Sequence, residues 1–277
     1  MISITIPVVS GTHLNEVLDS IILQTYCDYE IIVVNDKNDS EISRLARKVG
    51  AKVINIHGSL LTARFAALSQ ATGEYVLQLD ETRLLSSQNV LEILAGKNLD
   101  VAFINEKEVV KNLISEVSSI DKYIGFNEHN VMNGKRYLLP RYYRKDIIMK
   151  AMKKLRENLG ELFDELTAPE DLLTYTEAKP FIKKIEIIED RLITHYGDDS
   201  LKKIVRKYFR YGTNFAMLSE TSYKDIGHIS IAERLSGRIN RLENTRQAVF
   251  VLSLWFIRGG SLLLGYIVQK GKYKIYF

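Results

Sequence analysis

The sequence holds a single cysteine, Cys27, in 277 residues. A lone thiol excludes an intramolecular disulfide framework and every multi-cysteine zinc or iron–sulfur site, so the fold rests on core packing. Proline is scarce at 4 and glycine ordinary at 16, which excludes collagen-like and low-complexity chains; 46% hydrophobic and 26% charged residues are the mark of a folded protein. No basic stretch leading into an apolar segment and a small-residue cleavage site opens the chain, so a cytoplasmic protein is expected. The sequence also lacks an internal repeat, a recognisable nucleic-acid module, and a glycine-rich loop bearing Lys or Arg after the first strand-like run, where PVVSGTHLNE stands.

What is present is unevenly charged. The net charge is 38 − 34 = +4, yet Leu201 to Phe277 carries 14 Lys and Arg against 4 Asp and Glu, or +10, leaving −6 for the first 200 residues. A basic tail suits an anionic membrane face, a phosphate-bearing substrate or nucleic acid.

Apolar runs predict strands at Ser3–Val9, Glu30–Val34, Ala51–Ile56, Glu74–Asp80 and Asp100–Asn105. Leu14, Val17, Leu18, Ile21 and Ile22 fall at helical spacing after a Thr12 cap, and further helices are expected around 41–48 and 60–71. Continuously apolar strands alternating with helices indicate an α/β fold with a mixed, mainly parallel sheet covered on both faces. From 107 to 134 the periodicity is poor and reads as loops or an added hairpin. A strand at 137–143, helices at 146–158 and 170–177, and a long strand at 181–195 follow. After Gly197 the pattern is helical, with Asp198-Asp199-Ser200 opening one helix and two more between Ser230 and Gln269. The expected organisation is residues 1–197 as an α/β domain and 198–277 as a basic helical region.

Ligands of an open parallel sheet sit at the carboxyl ends of its strands, and two such ends carry acids, Asp36 and Asp80-Glu81. Each alone also reads as a turn residue after a strand. The order of motifs says more. ITIPVVSGTHLNEVLDSIILQTYCDYEIIVVND, HGSLLTARFAALSQATGEYVLQLDETRLL, APEDLL and KYFRYG together resemble, over residues 1 to 215, the inverting family 2 glycosyltransferases of GT-A fold.

The resemblance implies roles for particular residues. Asp36 would bind the nucleotide base, with Pro7 and Val8 as the adjoining wall and Asn35 standing where the family has a first acid. Arg64 would lie near the nucleotide and Arg210 would hold diphosphate or acceptor phosphate, with Lys207 and Tyr211 at the family's Gln and Trp positions. Asp171, beside Glu170, would be the general base that deprotonates the acceptor hydroxyl. A bland reading of Pro169-Glu170-Asp171 is a helix N-terminus, where proline and acids are favoured. In the D-x-D pattern Asp80 matches, Glu81 takes the variable place and Thr82 replaces the second acid. A Mg²⁺ or Mn²⁺ ion would then rest on Asp80, Glu81 and His195, or else basic side chains would neutralise the diphosphate without metal.

The expected partners are a nucleotide-sugar donor, UDP-linked, and a glycan or lipid-linked acceptor. The competing readings are a non-catalytic nucleotide-sugar-binding or scaffold protein and a sugar nucleotidyltransferase; nucleic acid is the weakest competitor. The most apolar stretch, Ala248 to Val268, is interrupted at Arg258-Gly259-Gly260-Ser261, leaving pieces of about nine and seven residues where a spanning helix needs roughly 20. Arg234, Arg238, Arg241 and Arg246 precede it; Lys270, Lys272 and Lys274 follow among Tyr266, Tyr273, Tyr276 and Phe277. Two helices buried on the catalytic domain or in a homo-oligomer are one reading; the flanking cations and aromatics favour a peripheral association with the inner face of the cell membrane.

Overall fold

Strand β1 (Ile2–Val8) is buried at every position, on both faces, as a central strand between two helical layers must be. It pairs in parallel with β2 (Tyr29–Asn35) on one side and β4 (Tyr75–Gln78) on the other, and β2 pairs in parallel with β3 (Lys52–Asn55). Beyond β4 the direction reverses. Strand β7 (Tyr142–Arg144) is antiparallel to both β4 and β6 (Val101–Glu108), and β5 (Arg83–Leu85) is antiparallel to β8 (Ile185–His195). The eight strands lie in the order β3-β2-β1-β4-β7-β6-β8-β5, the mixed, mainly parallel sheet that the sequence pattern predicts. The computed structural model describes residues 1–125, 139–226 and 242–275.

The crossover helices follow from their spacing and caps. Helix α1 (Leu14–Ile22) buries Leu14, Val17, Leu18 and Ile21, but its cap is His13, not Thr12, and His13 makes no side-chain capping bond. Helix α2 (Ser40–Lys48) starts on the Asp39 carboxylate, which accepts from the N–H groups of Glu41 and Ile42. Helix α3 (Leu60–Gln70) starts on Ser59, whose hydroxyl accepts from the Thr62 N–H. Helix α4 (Val90–Ala95) and β5 are too short to show a period in the sequence. Each wholly buried Ile or Leu of this core contributes about 1.5–3 kcal/mol.

Where a loop or hairpin was expected at 107–134, β6 runs on to Glu108 and helix α5 (Leu113–Gly125) follows, opened by Asn112 Oδ1 accepting from Ile114 and Ser115. The buried side of α5 mixes Val117 and Ile124 with Ser115, Ser118 and Asp121, so no apolar stripe marks it. Residues 126–134, and 137–138 of the strand expected at 137–143, lie outside the described residues.

The chain divides into two compact units. The first comprises Met1–Lys107, Leu138–Leu166 and Thr174–Tyr196 and contains the sheet with α6 (Lys145–Leu159); the second comprises Glu108–Tyr137, Thr167–Leu173 and Gly197–Phe277. The second unit therefore takes the chain from Gly197 onward and gathers two earlier segments as well. Between the units' segments, helix α7 (Glu170–Ala178) runs from one to the other along the chain.

In the second unit, α8 (Leu201–Leu218) begins at Ser200, whose hydroxyl accepts from Lys203 N–H. Two helices and two apolar pieces were expected beyond Ser230. Instead, Thr245–Ile275 is one continuous helix, α9, of 31 residues, running through Arg258–Ser261. The reason is a partner for the arginine. Arg258 Nη1 donates to Asp121 Oδ2 at 2.5 Å, Trp255 Nε1 donates to Asp121 Oδ1 at 2.6 Å, and the Arg258 guanidinium lies 5.2 Å from the Tyr208 ring centre. The charge is thus absorbed by α5 and α8, and the helix need not break. Helices α8 and α9 run in the same direction, Ile204 beside Val251 and Leu254, Tyr208 beside Arg258, Glu220 paired with Lys270. They touch at two glycines: a Cβ at Gly212 would strike the Leu262 backbone, and one at Gly265 the Phe209 backbone. Val249, Leu252, Phe256, Leu263 and Ile267 leave one side of α9 apolar and exposed, Phe256 to 84%. Thr245–Gly271 is long and apolar enough to cross a membrane by length and composition. Arg234, Arg238, Arg241 and the helix start expected near Ser230 lie outside the described residues, as do Tyr276 and Phe277.

Candidate active site

The first unit presents its acids where the parallel strands end. Pro7 and Val8 are buried opposite Val34 and Asn35. The Asp36 N–H donates to the Val8 carbonyl at 3.2 Å, and its Oδ1 accepts from the Gly58 N–H at 3.2 Å with His57 Nδ1 at 3.6 Å. Pro7, Val8 and Asp36 are therefore brought together. Asn35 is wholly buried: its amide donates to the Asp39 carbonyl and Ser43 hydroxyl, and its Oδ1 accepts from the Asp39 N–H. A carboxylate could not donate those two bonds, which accounts for an amide where the family has an acid. Arg64 is no solvated helix charge; it is 2% exposed and its Nη1 points to the Leu79 carbonyl at 3.5 Å, one residue before Asp80.

Asp80 sits in a buried charged cluster. Its Oδ1 accepts from the Thr82 N–H at 2.9 Å and the Thr82 hydroxyl at 2.6 Å, while Oδ2 takes Arg83 Nη1. Arg83 Nε also donates to Glu106 Oε1 at 2.7 Å, and Arg141 Nε lies 3.4 Å from the same oxygen. His195, opposite Arg83 in the β5–β8 ladder, places Nδ1 3.7 Å from Glu106 Oε2. Burial alone would raise the pKa of Asp80, but the charges of Arg83, Arg141 and His195 and the Thr82 bond outweigh it and hold the carboxyl well below its usual 3.8. Asp80 and His195 are thus brought together. Glu81 is turned elsewhere: it accepts from the N–H groups of Val9, Ser10 and Gly11 and from the Ser10 hydroxyl, with Gly11 at φ +71°.

Glu106 and His195 come close enough to share a cation. The D-x-D-like segment does not fit one. Hard cations need open carboxylate oxygens, and here Asp80 is met by Thr82 and Arg83, Glu106 by two guanidiniums, and Glu81 by a loop backbone. Arg83, Glu106 and Arg141 carry no motif, and the sequence offers no sign of them beyond charge. Nor does it signal His13 and Tyr196, stacked at 3.9 Å with the Tyr196 hydroxyl on Glu16.

The second unit holds the expected acceptor-side residues. Glu170 and Asp171 lie in the first turn of α7, after a cis Ala168–Pro169 bond, as the proline–acid pattern predicts. The entry to that helix is pinned by Asn214 of α8, whose buried Oδ1 accepts from the N–H groups of Thr167 at 2.8 Å and Ala168 at 2.9 Å. Burial pushes the Tyr211 phenol up; Glu170 and Asp171 add to the rise while Lys207 and Arg210 oppose it, so all four charges bear on one ring. Lys207 donates to Asp198 at 3.1 Å, and Arg210 is exposed.

Residues 3–82 match the sequence model described as Glycosyl transferase family 2. The fold is shared with TarS of S. aureus (residues 1–349) at TM-score 0.55 and 17% identity over 99% of this chain and 91% of that one. TarS in complex with UDP-GlcNAc gives the same TM-score at 18% identity and the same coverage. A mannosyltransferase, PcManGT from Pyrobaculum calidifontis, in complex with GDP-Man and Mn²⁺, is similar at TM-score 0.52 and 14% identity over 99% and 87%. No curated protein matches the sequence significantly. The match to family 2 glycosyltransferases thus lies in residues 3–82, and the whole chain shares the GT-A fold of these solved glycosyltransferases.

Proposed function

We propose that this chain transfers a sugar from a nucleotide-sugar donor, UDP-linked, to a hydroxyl or phosphate acceptor with inversion. The observation that carries the reading is the convergence of Pro7, Val8, Asp36 and Asp80 on the carboxyl ends of β1, β2 and β4, inside the segment that matches the family. The solved relatives bound to UDP-GlcNAc or GDP-Man support a nucleotide-sugar donor. In the reaction the acceptor oxygen attacks the anomeric carbon as its bond to the diphosphate breaks, and the proton of the acceptor passes to Asp171. One displacement inverts the centre and needs no covalent intermediate. Mg²⁺ or Mn²⁺ is the cofactor the resemblance implies; no step here runs through it, because the oxygens at Asp80 are taken.

The acceptor in this reading is lipid-linked and the enzyme peripheral at the inner face of the membrane. The exposed apolar side of α9 supports this, as do Lys202, Arg206 and Arg210, which recur every fourth residue on the exposed side of α8. None of those three has an ion-pair partner among the described residues. Apolar and cationic surfaces in one unit suit an anionic bilayer face, while the buried Asp121–Arg258 pair argues against α9 crossing it.

Incubation with UDP-sugars and vesicles holding a polyprenyl phosphate tests both parts. Released UDP and a sugar on the lipid are the expected products. Nucleotide binding with no sugar release to lipid or water would favour a scaffold. Flotation with anionic vesicles, lost in high salt, is expected for the full chain; failure to float would point to a soluble acceptor.

A further inference from the structure

A two-carboxylate clasp and one divalent ion sum to zero charge. Two carboxylates and two guanidiniums also sum to zero, and that is what Asp80, Glu106, Arg83 and Arg141 provide. The Arg83 side chain is 12% exposed and bridges both acids, Nη1 on Asp80 and Nε on Glu106. An ion entering here would have to displace that bridge and leave a guanidinium stranded in a buried site, which is costly. The loop N–H groups of Val9 to Gly11 form an anion-binding nest of the kind that cradles phosphate, but Glu81 fills it. A diphosphate arriving at the end of β4 therefore meets side-chain cations. Arginine suits it, being always charged and shaped to bind phosphate oxygens in pairs.

We infer that Arg83, backed by Arg141, is a resident counter-ion for the diphosphate, so that this chain binds a nucleoside diphosphate without a divalent metal. The inference rests on the nucleotide-sugar reading above. It places the charge usually supplied by an ion on β5, directly after the position where Thr82 replaces an acid.

The test is calorimetric titration of the full chain with UDP and with GDP, each in EDTA and in MnCl₂. The nucleotide that binds should do so with affinities within about twofold in the two buffers. Arg83→Ala should weaken it at least about tenfold in both, the scale of one charge-assisted hydrogen bond, and Arg83→Lys should recover part of the loss. Because Arg83→Ala strands two buried acids, the second variant is Thr82→Asp with Arg83→Ala, which rebuilds a two-carboxylate clasp. That double variant should bind nucleotide in MnCl₂ and lose it in EDTA; equal binding in both buffers would count against the role of Arg83. Wild-type binding that disappears in EDTA would overturn the inference, and its further loss in Glu106→Gln would put an ion at Glu106 and His195. Absence of binding by either nucleotide in either buffer would overturn the donor reading, and this inference with it.

Discussion

Each unit buries an aspartate against an arginine, and the two pairs differ in what surrounds them. In the first unit Asp80 and Arg83 belong to a network with Glu106, Arg141 and His195, and the Asp80 side chain keeps 24% of its surface open. In the second, Asp121 is wholly buried, and Arg258 and Trp255 hold it among apolar side chains of α5 and α9, with the Ser118 hydroxyl accepting from Arg258. The open network can exchange one anion for another, because several donors share the load. The sealed pair cannot, so its work is to fix α9 against α5. In the reading proposed above, the same two residue types serve a ligand site in one place and a helix register in the other, and the difference lies in access and redundancy.

Removing one partner of the sealed pair tests that contrast. Asp121→Ala leaves Arg258 charged and buried, and should cost about 3–5 kcal/mol by denaturant unfolding. Replacing both, with Asp121→Leu and Arg258→Met, should return most of that stability; a double variant as unstable as the single one would mean the pair does more than compensate charge. A second expectation sharpens the functional side. Asp171→Asn should lower kcat by at least about 10²-fold while nucleotide affinity stays near that of the wild type, as for a general base acting on the acceptor. A variant retaining most of its turnover would remove Asp171 from the reaction. The smallest effect is expected at Asp36→Ala: about tenfold weaker nucleotide binding, one charged hydrogen bond's worth, with unfolding almost unchanged. Loss of stability without loss of affinity would make Asp36 only the partner of the Gly58 N–H.

Much of the first unit was legible because its strands are apolar on both faces. Ile2 to Val8 and Ile31 to Val34 need no tertiary information to be recognised, and acids at their ends stand out against them. What stayed hidden depends on residues far apart in sequence. Arg83 and Glu106 meet across 23 residues, and Arg258 and Asp121 across 137. The second separation explains why α9 was expected in two pieces: an arginine in an apolar run reads as a break until its partner is known. Helix α5 was lost for a related reason, since its buried face contains Ser115, satisfied by the capping turn at Lys111 and Asn112, and Ser118 and Asp121, satisfied by tertiary bonds that a hydropathy pattern does not register.

Asn35 has a consequence for proton counting. Two adjacent carboxylates at the end of β2 would repel each other and release their protons in two coupled steps, spreading any acid response over a broad range. The amide at position 35 is spent on Asp39 and Ser43 and takes up no proton, so the end of β2 carries one carboxylate in place of an adjacent pair.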